Sequence, residues 1–259
     1  MVVKTTDVTG TADAVAQSIG SRTAREGFQN EKQIALRFNN WRGSRTAQDW
    51  LRSMGYELDR ILDIEATPIT GSYKTDVQVR VTISTGKGSQ QDLQNLQVKL
   101  VTNKTGSNQI DKRWVNTYQE LWNIPKDVSR LLKLFTGELP PDRDRTKHSN
   151  RMYVTEFSDV ERRCLLNFLT DNRMLILADI VKGRGPFSVE WLLVIQKTGS
   201  RWALVNINKA LAILDGDIGT TKQGGLKIGN VTIQRKGGDK GADTAKMLQF
   251  KINPTLFFK

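Results

Sequence analysis

Two stretches with a two-residue hydrophobic period constrain the fold of this chain most strongly. Apolar residues occupy every second position from 77 to 83 and again from 96 to 100, and polar residues fill the positions between them. Side chains of a β-strand point alternately to its two faces, so each stretch predicts a strand with one buried face. The glycine-containing segment 85–89 predicts a turn between the strands, and we expect their polar faces to adjoin.

The rest of the chain mixes helical and strand patterns without regular alternation or an internal repeat. This order predicts the mixed α+β class. Asn30 is a predicted helix cap, because Ile34, Phe38 and Trp41 then follow at helical spacing. Further predicted helices lie at 46–54, 112–122, 127–135, 159–169 and 209–214, and further predicted strands lie at 152–157, 174–181, 189–196, 202–206, 226–235 and 246–252.

Composition along the chain suggests three parts. Residues 1–21 lack apolar periodicity and are predicted to form a loosely ordered extension. The break Gly-Glu-Leu-Pro-Pro at 137–141 then divides a first part, residues 22–141, from a second, residues 142–259. We expect these two parts to pack as one compact unit.

Scarce ligand residues and an excess of positive charge limit the possible functions. Cys164 is the only cysteine and His148 the only histidine, which excludes zinc fingers and disulfide scaffolds. A single thiol fits a reducing compartment, and the absence of a signal peptide or an apolar run of about 18 residues predicts a cytoplasmic protein without a membrane partner. The net charge of +12 favours a polyanionic partner, either nucleic acid or an anionic membrane surface, and does not by itself choose between them.

The most suggestive chemistry combines Asp76 at a strand start with Gln97 and Lys99 on a later strand. Residues 97 and 99 share a face, and an adjacent strand would bring Asp76 beside them. A carboxylate and an amide carbonyl are hard oxygen ligands suited to Mg²⁺, and Lys99 would orient or help deprotonate an attacking water. The spacing alone also fits a merely solvated sheet face, and this alternative is the more common one.

A resemblance to a known family adds to this pattern. Collinear blocks between about residues 22 and 254 resemble HinP-type restriction endonucleases, which belong to the PD-(D/E)XK nuclease superfamily. The blocks are 24–32 (AREGFQNEK), 71–76 (GSYKTD), 96–101 (LQVKLV), 108–112 (NQIDK), 135–141 (FTGELPP), 152–158 (MYVTEFS), 182–185 (KGRG), 231–239 (VTIQRKGGD) and 247–251 (MLQFK).

The resemblance implies a fold and a catalytic site. The fold is a nuclease core with a mixed central sheet flanked by helices in residues 22–141, followed by an α+β DNA-recognition part in residues 142–259. Asp76 corresponds to the metal-binding aspartate, Gln97 stands where most of the superfamily has Asp or Glu, and Lys99 is the lysine of the motif. Thr75 occupies the proline position. Because Gln97 is neutral, Glu31 is the candidate for a further Mg²⁺ ligand. The alternative is an acid at a helix start that only favours the helix dipole.

The resemblance also implies which residues contact DNA. The predicted base readers are Gln234, Arg235, Lys236 and Asp239, with Lys251 as a further basic contact; such side chains match groups in the major groove. Asn108 and Gln109 resemble a loop that approaches from the minor groove, although Ser107 replaces the large apolar residue expected beside them. The predicted phosphate contacts are Lys104, Lys112, Arg113, Lys182 and Arg184.

Together these observations predict a type II restriction endonuclease that cuts double-stranded DNA. The resemblance implies a short GC-rich palindrome, GCGC or a close variant, and Mg²⁺-dependent hydrolysis that leaves a 5′-phosphate and a 3′-hydroxyl. The resemblance further implies a monomer on DNA and a cognate DNA methyltransferase in the host. The alternatives are a sequence-specific DNA-binding protein without catalysis and a shape-specific RNA-binding protein.

Overall fold

The computed structural model describes residues 27–102, 106–144, 146–197, 201–238 and 242–258. The predicted extension at residues 1–21 lies outside these ranges. The chain divides into two compact units, one formed by residues 1–69 and 77–93 and the other by residues 70–76 and 94–259.

The first unit combines two helices with an antiparallel strand pair. It contains α1 (27–39), α2 (Arg45–Ser53), β1 (Ile61–Pro68), β2 (Val77–Thr85) and the beginning of β3 (Gly88–Val101), with short 3₁₀ turns at Trp41–Gly43 and Leu58–Arg60. Strands β1 and β2 pair with Ile64 opposite Val81. The apolar stripe predicted for the first helix is buried, and the Phe38 ring lies 5.2 Å from that of Trp50.

The second unit contributes strands to the first sheet and contains a separate second sheet, together with the remaining helices. These helices and strands are β4 (Asn108–Arg113), α3 (Val115–Trp122), α4 (Lys126–Thr136), α5 (Asp159–Asp171), α6 (Arg173–Val181), β5 (Trp191–Gln196), β6 (Trp202–Asn206), α7 (Ile207–Leu214), β7 (Ile218–Thr220), β8 (Leu226–Ile228), β9 (Val231–Arg235) and β10 (Leu248–Ile252). Short 3₁₀ turns lie at Val154–Glu156, Asp243–Lys246 and Pro254–Phe258.

Strand pairing defines two five-stranded sheets, which confirms the predicted α+β class. The first has the hydrogen-bonded order β1-β2-β3-β5-β6, in which β3 and β5 are parallel. The second has the order β4-β10-β9-β8-β7 and is antiparallel at its described pairs. Residues on the two sides of position 141 therefore share both sheets, since β3 pairs with β5 and β4 pairs with β10.

An aromatic cluster lies in the core of the second unit. The rings of Tyr118 and Trp122 stack with centroids 4.3 Å apart, and both meet the Phe250 ring edge-on. These residues are at most 3% exposed. Helix α3 is thereby fixed against β10 of the second sheet, because offset and edge-on aromatic contacts add to the burial of apolar area.

Four local predictions are wrong. Asn30 lies inside α1 rather than at its cap, since helical hydrogen bonding already includes residue 27. Residues 174–181 form helix α6 instead of a strand, because a short apolar run does not distinguish the two states by its period. Residues 152–157 form a 3₁₀ turn with flanking coil, and the predicted helix at 112–122 begins only at Val115, after β4. No helix within the described ranges is both long and apolar enough to cross a membrane.

Candidate active site and nucleic-acid interface

Asp76 is fixed against β3 at the residues that flank Gln97. Its main-chain N–H donates to the Leu96 carbonyl at 2.8 Å, and its carboxylate Oδ2 accepts from the Val98 N–H at 2.7 Å. The side chain therefore meets the strand where Gln97 and Lys99 share a face, as the sequence predicted.

Gln97 is the most unusual residue of this cluster. Its side chain is only 3% exposed, and its Oε1 atom is buried without a hydrogen-bond partner in the described part of the chain. An unpaired buried carbonyl is destabilising, so such a group calls for a ligand or a functional explanation. The polar face of β3 is therefore buried at Gln97, whereas the alternation of polar and apolar residues alone favours a face exposed to solvent.

Burial raises the pKa of the Asp76 carboxyl above its ordinary value, while the positive charge of Lys99 and the hydrogen bond from Val98 act in the opposite direction. Lys74 lowers it as well. Ionised Asp76 therefore depends on positive charge close by, and a bound cation would favour the ionised form further.

The donor set fits a hard divalent cation. The Asp76 carboxylate and the unpaired Gln97 carbonyl both present oxygen, and Mg²⁺ is commonly held by one or two protein oxygens while water and substrate phosphates complete its shell. No group of three or more His, Cys, Asp and Glu side chains suited to a metal occurs within the described ranges. Glu31 lies half-buried on α1 in the first unit, and its role as a ligand stays a prediction.

Thr75 holds the segment before Asp76 in place. It is 1% exposed, and its Oγ1 donates to the Phe187 carbonyl at 2.7 Å. Asn95 binds the same loop, because its Nδ2 donates to the carbonyls of Pro186 and Ser188, each at 3.0 Å. The loop after α6 thus packs on both segments of the second unit that carry the predicted metal ligands.

A buried charge network, which we call the Asp111–Asp179 network, connects this segment to β4 and α6. Lys74 Nζ lies 2.9 Å from Asp111 Oδ2, and Arg113 contacts both Asp111 at 2.9 Å and Asp179 at 2.8 Å. Arg184 Nε donates to the other Asp179 oxygen at 2.6 Å. The two aspartates are at most 5% exposed.

Sequence reasoning missed Lys74, Asp111 and Asp179, although one signal was available. Asp179 stands among apolar residues, between Ala178 and Ile180, where an acid needs a buried partner. Arg113 and Arg184 were predicted to contact phosphate, and the structure engages both guanidinium groups with Asp179.

Four predicted DNA contacts share one face of the second sheet. Gln234 lies opposite Gln249, and Gln249 lies opposite Lys112; Lys251 lies opposite Gln109 beyond a register shift in β10. The amides form a hydrogen-bonded row, since Gln234 Nε2 donates to Gln249 Oε1 at 3.1 Å and Gln249 Nε2 donates to Gln109 Oε1 at 2.7 Å. We call the side chains of these five residues the amide face; Gln249, which alternates with Leu248 and Phe250, was missed.

Other predicted contacts lie elsewhere. Arg235 pairs with buried Leu248, so it points to the side of β9 opposite Gln234. Burial lowers the pKa of Lys236, and the positive charge of Lys112 lowers it further. Asn108 donates to the Leu100 carbonyl at 2.9 Å, and Lys182 is half-buried beside the loop after α6. Asp239 and Lys104 lie outside the described residues.

Comparisons with known proteins show the family and support the fold. Residues 54–258 match the family model described as "R.HinP1I restriction endonuclease". A crystal structure of the restriction endonuclease MspI in complex with its cognate DNA is similar in fold, with a TM-score of 0.57 and 17% identity over 86% of this chain and 87% of that one. No curated protein sequence matches the chain significantly. The family match confirms the resemblance seen in the sequence, and the MspI similarity supports the predicted nuclease fold. The chain belongs to the R.HinP1I restriction endonuclease family and is a type II restriction endonuclease acting on DNA.

Proposed function

We propose that the enzyme cuts double-stranded DNA at a short GC-rich palindrome, GCGC or a close variant, by Mg²⁺-dependent phosphodiester hydrolysis. The observation that carries the metal-dependent site is the buried, unpaired Gln97 carbonyl beside the fixed Asp76 carboxylate. Asp76 and Gln97 would hold the metal, with Glu31 proposed to assist. When bound, Mg²⁺ supplies Lewis-acid stabilisation of the charge that develops on the phosphate.

The protein groups have separate roles in this proposal. Lys99, on the same face as Gln97, orients the attacking water and stabilises negative charge on the phosphoryl oxygens. Water oxygen forms a new bond to phosphorus while the bond from phosphorus to O3′ breaks. The leaving oxygen takes up a proton, so the products carry a 5′-phosphate and a 3′-hydroxyl. Thr75 positions Asp76 through its hydrogen bond to Phe187.

Base reading is assigned to the amide face with Lys236 and Asp239. Lysine ammonium groups can donate to guanine O6 and N7, and glutamine carbonyls or an aspartate can accept from the cytosine amino group. The hydrogen-bonded row of Gln109, Gln249 and Gln234 fixes which amide atoms remain to meet a base. Arg235 points to the other side of β9, so we assign it no base.

Further DNA contacts and partners complete the proposal. Asn108 contributes near the minor groove, and Lys104 and Lys182 contact phosphates, which positions the duplex without reading it. Arg184 acts through Asp179 on the loop after α6. The enzyme works as a monomer in the cytoplasm of a host that contains a cognate DNA methyltransferase. The proposed metal ligands and Lys99 lie in the part at 22–141, and most base readers lie in the part at 142–259, with Gln109 and Lys112 contributed by the first part.

Digestion of a sequenced DNA tests the proposal directly. With Mg²⁺ present, every fragment end should map to one short GC-rich palindrome and should carry a 5′-phosphate that a phosphatase removes. The Arg163→Ala variant, which changes an exposed arginine on α5, serves as a control and should give the same ends. Ends scattered without a common sequence, or cutting that persists after chelation of divalent ions, would overturn the proposal.

A further inference from the structure

A pocket of about 360 Å³ opens where β9 extends beyond the end of β8. This volume lies within the range of sites that bind small ligands. Its walls come from β9, the turn before β8, the segment after residue 150 and the end of α4. The lining residues are Phe135, Arg151, Tyr153, Thr221, Gln223, Gly225, Thr232, Gln234 and Arg235.

Two arginines give this pocket an uncompensated positive charge. The Nε atoms of Arg151 and Arg235 are both buried without a hydrogen-bond partner in the described part of the chain. None of the described lining residues is an acid. Burial lowers the pKa of the Arg235 guanidinium, and the positive charge of Arg151 lowers it further. Guanidinium groups remain charged in proteins, so an anion that enters from outside would stabilise this pair.

The pocket is built on fixed elements. The Arg151 guanidinium lies over the Tyr153 ring at 4.4 Å from its centroid, and the Tyr153 N–H donates to Glu156 at 2.7 Å. Gly224 adopts φ +78, and a Cβ atom there would lie 3.0 Å from the Tyr153 ring. The turn before β8 is closed by Thr221, whose N–H donates to the Gly225 carbonyl at 2.8 Å. Arg151 is therefore held in place before any ligand arrives.

We propose that Arg151 and Arg235 bind a phosphate oxyanion, and that its source is a backbone phosphate of the DNA that the amide face reads. The phosphate would enter at the end of β9, where Gln234 of the amide face and Arg235 from the opposite side both line the pocket. The inference rests on the proposed base reading, because Gln234 belongs both to the amide face and to the pocket wall. Arginine matches a phosphate with two parallel N–H donors, and two such groups facing one opening fix where the strand passes. The pocket positions the duplex so that the amide face reads in one register.

The salt dependence of DNA binding tests this proposal. The slope of log affinity against log salt concentration should become shallower by about 0.9 for each phosphate contact that Arg151→Ala or Arg235→Ala removes. Both variants should weaken binding to the preferred site and to random DNA by the same factor. Arg151→Lys should keep the wild-type slope, since it keeps the charge, and Arg163→Ala on α5 should keep both slope and affinity. Thermal unfolding midpoints establish that each variant is folded; if Arg151→Ala unfolds, Arg151→Gln replaces it.

Unchanged slopes in both alanine variants would overturn the proposal, and so would a loss confined to the preferred site. A second arm measures inorganic phosphate binding without DNA by ³¹P line broadening. Phosphate binding that the double variant loses, combined with an unchanged DNA slope, would contradict a DNA source. The proposed base reading is tested separately, because Gln234→Ala should change the base preference of the enzyme whatever the pocket binds. An unchanged base preference would contradict the base reading and not the phosphate site.

Discussion

At the scale of single residues, Gln97 distinguishes a metal site from a structural polar cluster. Its carbonyl is buried and unpaired, so replacing the amide by an apolar side chain of similar size removes an unsatisfied group. We predict that Gln97→Leu leaves the free energy of unfolding within about 1 kcal/mol of wild type and strongly reduces Mg²⁺-dependent cleavage. Gln97→Glu should lower the Mg²⁺ concentration needed for half-maximal cleavage, because it adds a negative ligand.

The measurements are urea unfolding and an Mg²⁺ titration of cleavage. Gln91→Leu is the matched control, because Gln91 lies on the same strand but is exposed. A Gln97→Leu enzyme with an unchanged Mg²⁺ titration would show that Gln97 is not a ligand.

The sequence predicted the neighbourhood of Gln97 but not its burial. Alternation along β3 correctly placed Gln97 and Lys99 on one face, with Asp76 at the start of the adjacent strand. It did not predict that this face would be covered. Strand β3 pairs in parallel with β5, which lies some 90 residues later in the chain, and parallel strands are usually covered on both faces. Such long-range pairing leaves no local trace in the sequence.

At the scale of helices and strands, the Asp111–Asp179 network holds β4 and α6 to the segment before Asp76. Asp111 accepts hydrogen bonds from Lys74 and Tyr118 and pairs with Arg113. We predict that Asp111→Asn destabilises the protein by about 3–5 kcal/mol, because it leaves buried positive charge without its counter-ion. Asp49→Asn, which removes an exposed ion pair on α2, should change stability by less than about 1 kcal/mol. Equal urea midpoints for the two variants would refute the network's role.

The start of α5 should contribute stability that depends on pH. Hydrogen bonds from Arg143 lower the pKa of Glu161 to about 2, while its backbone N–H is capped by Ser158. Because the pKa of Glu161 is lower in the folded than in the unfolded state, its ionised carboxylate stabilises the protein above pH 4.5. This stabilisation is lost as the pH falls towards 2. We predict that the stability gap between wild type and Glu161→Gln is constant near neutral pH and narrows below pH 4.5.

Unfolding free energies across this pH range test the Glu161 prediction. Arg143→Ala provides the matched background, because removing the guanidinium should abolish most of the pH-dependent gap. A gap that widens as the pH falls would have the wrong sign for a carboxyl with a lowered pKa.

Helices and strands were predictable where their hydrophobic period was long and regular, and less so elsewhere. The stripe of Ile34, Phe38 and Trp41 correctly predicted a buried helix face. In contrast, α6 carries apolar residues on nearly all sides, the exposed Met174 and Leu175 included, so its sequence shows no clear helical period. Asp111 and Asp179 meet their shared partner Arg113 only after folding, so these ion pairs were not visible in the sequence.

At the scale of the whole molecule, the proposed monomer has one set of Asp76, Gln97 and Lys99 for two DNA strands. A palindromic site then requires two separate cutting events. We predict that nicked circles accumulate before linear DNA on a supercoiled plasmid with one site, and that sedimentation shows one protein per duplex. A stable assembly of two proteins on one duplex, cutting without a nicked intermediate, would contradict the monomer.

The most direct test of the central claim compares wild type with Asp76→Asn on that plasmid in the presence of Mg²⁺. Asparagine keeps an oxygen that can accept the Val98 N–H, so the fold and the DNA-binding surfaces should remain intact. We predict that Asp76→Asn binds the preferred site with nearly wild-type affinity and yields neither nicked nor linear DNA. Cleavage by Asp76→Asn at the wild-type rate would contradict the assignment of the active site.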